Sequence, residues 1–241
     1  MLDKIKLEKI LFLDIETVPE TYRFDELDEK TAELYSLKTR FFQKDGVTAE
    51  DTYERAGVYA EFGKIVCISC GLITDNTVTG KKIRLKSFYG DDEEKILLDF
   101  AKLLNENYQS ADSILCGHNA KEFDFPFIAR RMLINGIKLP LCLDLAGKKP
   151  WEIPHLDTME LWKFGDYKHY TSLSLLCHIF HIPTPKDDIS GADVARVYYE
   201  ENDVKRIKTY CEKDVVALIQ LFLRFRGNPL VKEESIVYSE E

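Results

Sequence analysis

KILFLDIE, residues 9–16, is an apolar run that ends in two carboxylates, Asp14 and Glu16. A strand apolar on both faces belongs in the middle of a sheet covered on both sides. This octapeptide therefore sets the expectation of an α/β protein. Working outward, KIVCISCGLI (64–73) and KIRLKSFYG (82–90) read as strands, and DNTVTG (75–80) as the turn of a hairpin between them. DDEEKILLDFAKLLNENY (91–108) predicts an amphipathic helix opened by acidic residues that suit its positive N-terminal dipole. SILCGHNA (113–120) reads as a short buried strand, and PFIARRMLINGI (126–137) as a helix with Pro126 at its start and Gly136 at its end. Segments 172–180, 192–201 and 204–225 predict three more helices. The order predicts one α/β domain over 1–228, with a mixed central sheet of about five strands flanked by α-helices. Residues from about 25 to 61 read as a helical insertion, and 229–241 as a mobile acidic tail.

A chain of 241 residues suffices for one well-buried domain. No apolar run approaches the roughly 18 residues that span a bilayer, and the N-terminus lacks the apolar core and cleavage site of a signal peptide. The expectation is a cytoplasmic protein without membrane association, monomeric, with its protein partners unspecified. Six cysteines, spread over apolar stretches, read as reduced thiols. Cys67 and Cys70 form a C-x-x-C, but on a strand positions three apart face opposite ways, and no second ligand pair follows. Two core cysteines are the better reading. A net charge of −9 argues against a broad basic surface for nucleic acid. It leaves room for chemistry on nucleic acid, because divalent cations in an acidic site would lie where a phosphate must sit. KKIRLK (81–86) and Arg130-Arg131 read as solvated basic faces.

Three segments carry candidate chemistry. Asp14 and Glu16 are two apart on a strand and project from one face, where a divalent cation would relieve their repulsion; solvent at the strand end would do so too. Asp124 follows His118, Asn119 and Phe123 in the loop between a buried strand and a helix, the place where α/β sheets collect their sites. A helix cap is the alternative for Asp124. In 204–225, at about 100° per residue, Asp214 falls about 20° from Ile207, within an arc shared by Cys211, Leu218, Leu221 and Phe222. A carboxylate there needs a metal or a cationic partner. Tyr210, one turn earlier, lies at the edge of the same arc, and core packing with a satisfied hydroxyl is the alternative to a role at the site.

Taken in order, these motifs resemble the DEDD superfamily of 3′→5′ exonucleases. The first, D-x-E, is matched by Asp14 and Glu16; the second, Asn followed by Phe/Tyr-Asp, by Asn119, Phe123 and Asp124. In the third, Tyr210 precedes Asp214 by four residues while Thr209 fills the position of the alternative histidine, which points to the DEDDy branch. HLDTMEL (155–161) and residues 172–194 look like the proofreading domain of B-family DNA polymerases, and most like its stand-alone bacterial relatives. The resemblance implies a ribonuclease H-like fold and 3′→5′ hydrolysis of single-stranded DNA to nucleoside 5′-monophosphates. Two Mg²⁺ or Mn²⁺ ions would be held by Asp14, Glu16, Asp124 and Asp214, with Tyr210 orienting the water. It also implies that Asn119 and Phe123 contact the terminal nucleotides and that Lys186 approaches the scissile phosphate; on their residue types alone Phe123 reads equally as core and Lys186 as a solvated lysine. Asp157 is expected to support the site without binding metal. An RNA exonuclease of the ribonuclease D type is the nearer alternative, and a non-catalytic nucleic-acid-binding module the further one.

Overall fold

Strand β1, Ile10–Pro19, is buried along almost its whole length and lies inside a six-stranded mixed sheet of order β5-β4-β1-β2-β3-β6. The computed structural model describes residues 2–76, 80–110, 112–166, 170–183 and 188–239. Strands β2 (Gly63–Asn76) and β3 (Gly80–Tyr89) form an antiparallel meander with β1. Strands β4 (Ile114–Gly117) and β5 (Leu156–Asp157) run parallel to β1 on its other side. β1 thus has neighbours on both edges, as its apolar run predicts. The period of two sorts its side chains. Leu11, Leu13 and Ile15 face a core shared with helix α2 (Glu93–Asn107) and helix α3 (Asp124–Ile134). Ile10 and Phe12 face the last long helix.

The insertion folds as helix α1 (Glu29–Thr39) and a 3-10 segment, Glu50–Val58, around a small core of Tyr35, Tyr53, Ala56 and Phe62. It docks on the sheet where Thr17 Oγ1 donates to the Gly57 carbonyl at 2.7 Å. Helices α4 (Thr158–Lys163) and α5 (Leu173–Ile179) follow β5. Over 192–201 the expected helix is a short one, α6 (Val194–Arg196), that opens into a π-turn, Val197–Glu201. Helix α7 (Val204–Phe225) then crosses β1 and β2, with Ile207, Cys211, Leu218, Leu221 and Phe222 all buried.

Two expectations are corrected. The 229–241 segment is not a free tail, because Ile236–Tyr238 forms β6, parallel to Ile83–Leu85 of β3. An open edge strand offers unpaired backbone groups, and a short β-branched stretch takes them. Arg131 is not solvated: it is 5% exposed and pairs with Glu93 and Glu20. Arg130 beside it is exposed. Cys67 and Cys70 behave as core residues on opposite faces of β2, one in the cluster under α7 and the other in the cluster under α2. Among the described residues, no helix is long and apolar enough to cross a membrane.

Candidate active site

Asp14 and Glu16 project from β1 toward α7, as their spacing predicts. One carboxylate oxygen from each and the Cys211 sulfur lie within 4.8 Å of one another. The β1–β2 register shifts between Glu16 and Thr17; such a bulge bends the strand as it leaves the site. The Cys211 thiol donates to the Asp14 carbonyl oxygen at 3.4 Å and to its Oδ2 at 3.5 Å. Burial, then contact with Cys67, pushes that thiol up, so it is a neutral donor rather than a thiolate ligand. Sequence reading took Cys211 only as a core residue, since nothing in its spacing marks a contact with a strand almost 200 positions away.

Asp124 arrives from the opposite layer. β4 pairs with β1 only as far as Phe12, and beyond that point the Ile15 N–H donates to Asp124 Oδ1 at 3.2 Å. The carboxylate is therefore anchored to the backbone between Asp14 and Glu16. It opens α3 but its side chain bonds to β1 and makes no cap on the helix, so capping does not account for it. The loop before it is tightly built. A Cβ on Gly117 would lie 2.3 Å from the Ala120 Cβ, so β4 must end on glycine for the chain to fold back. Asn119 takes the left-handed conformation (φ 64°) that asparagine tolerates. Asp157 pins the loop through the N–H groups of Asn119 (2.9 Å) and Lys121 (3.1 Å) while it caps α4. It supports the site without joining the carboxylate group.

Asp214, half-buried on α7, acts through its charge on Asp14, Glu16 and Tyr210, and accepts a hydrogen bond from the Tyr210 hydroxyl. The tight triple of possible ligand atoms contains neither Asp124 nor Asp214; they lie around it. Phe123 is half-buried and packs at 5.4 Å on Phe127. Asn119 Oδ1 is buried without a hydrogen-bond partner among the described residues. Lys186 lies outside the described residues.

The electrostatics follow from crowding. Burial, then repulsion from Asp124 and Asp214, pushes the Asp14 carboxyl well above the ordinary carboxylate range. Burial, then Asp14 and Asp214, does the same to Glu16. Asp124 is pushed up to about 7, mainly by burial. Tyr210 is driven upward by burial and by Asp214, Glu16 and Asp14, so its phenol stays protonated. Buried oxygen donors that repel one another fit a hard divalent cation, which carboxylates favour. This yields a test without substrate. Because native Asp124 keeps its proton up to about pH 7 while the unfolded chain loses it near pH 4, the native state binds more protons across that window. The stability of EDTA-treated protein should fall as pH rises from about 4 to about 7. Added Mg²⁺ or Mn²⁺ should restore it most strongly above pH 7. Melting curves of wild type and Asp124→Asn check this: the fall should be steeper in wild type, and a wild-type melting temperature that falls no more than the variant's over the window removes the argument.

Residues 58–232 match the family described as a predicted 3′→5′ exonuclease related to the exonuclease domain of PolB. The chain belongs to this family. The match begins after β1, so Asp14 and Glu16 lie outside it, and the geometry alone joins them to Asp124 and α7. The fold of this exonuclease-family chain is ribonuclease H-like. It superposes on a family B DNA polymerase from the hyperthermophilic archaeon Pyrobaculum calidifontis with a TM-score of 0.54 over 89% of the chain. At 14% identity that likeness concerns the fold, and the chain spans only 24% of the polymerase's length.

Proposed function

We propose that the protein hydrolyses single-stranded DNA from its 3′ end, releasing nucleoside 5′-monophosphates. In this reading Asp14, Glu16, Asp124 and Asp214 hold two divalent cations, Mg²⁺ or Mn²⁺. One observation carries it: carboxylates from β1, from the start of α3 and from α7 converge where β1, still paired with β2, runs on past its last pairing with β4. When bound, such cations supply an activated water and counter-charge for the leaving 3′ oxygen. Tyr210, held protonated with its O–H donated to Asp214, positions the attacking water by accepting a hydrogen bond from it and does not take its proton. The unpartnered Asn119 Oδ1 offers an acceptor to the terminal nucleotide, and the open part of Phe123 offers a stacking surface worth roughly 1–3 kcal/mol per base. Lys186 keeps the role that the resemblance gives it, a cation near the scissile phosphate.

The deciding experiment uses 3′- and 5′-labelled DNA and RNA of one sequence, linear and circular, with Mg²⁺, Mn²⁺ or EDTA. Mononucleotides should appear from free DNA 3′ ends only, with metal only. A 3′-phosphate should slow release sharply and a 5′ block should not. Faster hydrolysis of RNA would move the enzyme to the ribonuclease D type of activity, and cutting of the circle would make it an endonuclease. A non-catalytic module predicts no divalent binding in a calorimetric titration.

Tyr210→Phe should slow turnover about 10²–10³-fold, the scale for one positioned hydrogen-bonding group, while calorimetry shows metal binding retained. An unchanged rate would reduce Tyr210 to packing.

A further inference from the structure

The end of the sheet where β1 begins carries a cavity of about 550 Å³, walled by α4, the ends of α5 and α7, and the N-terminal residues Leu2 and Asp3. Its wall is aromatic. Trp162 lies nearly parallel to Phe225 with centroids 6.0 Å apart, and meets Phe180 and Phe164 edge-on at 5.7 and 6.5 Å. Phe164 is 90% exposed and sits in the left-handed region (φ 45°) at the end of α4. Both are unfavourable for a large aromatic side chain. Arg224 and Arg226 complete the wall, and the Nε of each is buried without a hydrogen-bond partner among the described residues. Asp3 lies 3.9 Å from Arg226 Nε, beyond hydrogen-bonding reach.

The residues lining this end of the molecule are mostly basic. A second hollow on the same N-terminal segment is lined by Lys4, Lys6 and Lys9, with Asp112. Together the two linings hold five cations (Lys4, Lys6, Lys9, Arg224, Arg226) against two acids (Asp3, Asp112), in a chain of net charge −9. This face is also far from the carboxylates. α7 carries the site along its middle and then descends past Phe12, which meets Phe222 at 5.3 Å, to Ile5, whose carbonyl accepts from Arg226 Nη1 at 2.8 Å. Phe225 is about 16 Å along the helix from Asp214, at 1.5 Å per residue.

We propose that this cavity docks an acidic segment of a partner protein that carries a bulky apolar side chain. The apolar side chain enters against Trp162 and Phe164, and the segment's carboxylates meet the guanidinium of Arg224, which has no acidic or hydrogen-bonding partner among the described residues and suits them as a charge-assisted partner. A peptide fits better than a nucleic-acid strand. Trp162 already stacks on Phe225 and packs against Phe180 and Phe164, so of these four rings Phe164 alone is exposed, whereas a strand stacks successive bases on several open ring faces. The proposal stands apart from the exonuclease reading.

The test is fluorescence anisotropy of the full chain with three labelled probes: six aspartates followed by Leu-Phe, the same peptide with six lysines, and a ten-residue oligo(dT). The aspartate peptide should bind in the micromolar range and the lysine peptide at least tenfold more weakly. Phe164→Ala and Arg224→Gln should each weaken the aspartate peptide at least tenfold while DNA hydrolysis and melting temperature stay at wild-type values. No binding of the aspartate peptide, equal binding of the two peptides, or indifference to both substitutions would overturn the proposal. Loss of oligo(dT) binding rather than peptide binding in Phe164→Ala would overturn it too, in favour of a nucleic-acid face.

Discussion

Replacing Asp14 by asparagine is expected to lower nuclease turnover about 10³-fold or more, and at the same time to raise the melting temperature of the metal-free protein. The two effects have one cause. Asp14 sits among Glu16, Asp124 and Asp214 with burial and mutual repulsion both opposing its charge. In the absence of metal that charge is a liability to the fold, and a neutral isostere removes it. In the proposed reaction the same charge would be needed, because stabilisation of developing charge is usually the largest catalytic contribution and a lost carboxylate would weaken the hold on a cation. Asp124→Ala should abolish activity as well but lower stability, since it also strips the Ile15 N–H of its acceptor. Single-turnover rates at saturating Mg²⁺ and melts in EDTA separate the two. If either variant keeps more than about a tenth of the wild-type rate, the assignment of the site fails. If Asp14→Asn melts lower than wild type, the carboxylates are not in the repulsive arrangement described.

Arg131→Met is expected to destabilise the protein by about 3–5 kcal/mol, the range for removing one partner of a buried ion pair. Arg131 Nε donates to Glu93 Oε1 at 2.9 Å, Nη1 to the Ala60 carbonyl at 3.0 Å and Nη2 to Glu20 Oε1 at 2.6 Å. Glu93 Oε1 also accepts the Ile65 N–H at 2.7 Å. One guanidinium thus ties α3 to α2, to the end of β1 and to the insertion. Without it Glu93, 8% exposed, keeps a buried charge with no cation against it. The neighbouring Arg130→Met should change stability by no more than about 0.5 kcal/mol, as surface substitutions do. In the double variant with Glu93→Gln, part of the loss should return, because the uncompensated charge is gone. Urea unfolding of the four proteins measures all of this. Equal effects at 130 and 131 would contradict the burial of the ion pair.

The local parts of this protein were legible in its sequence. A strand's period of two determines that Asp14 and Glu16 share a face, and a helix's 3.6 places Tyr210 one turn from Asp214 on the flank of a buried arc. Both are relations among near neighbours, which the covalent geometry of the chain enforces wherever the strand or helix forms. Tertiary structure decided the rest. That Asp124 reaches the Ile15 N–H, that the thiol of Cys211 serves Asp14, and that the 236–238 segment closes the β3 edge are contacts between segments far apart in the chain. The pair Arg130-Arg131 makes the point most sharply. Two identical side chains adjacent in sequence have identical propensities, and only the packing of α3 against α2 and β1 sends one into solvent and the other onto a buried carboxylate. The same holds for charge: desolvation depends on what the other elements bring to the site, so a carboxylate's position is written locally but its proton affinity belongs to the folded whole.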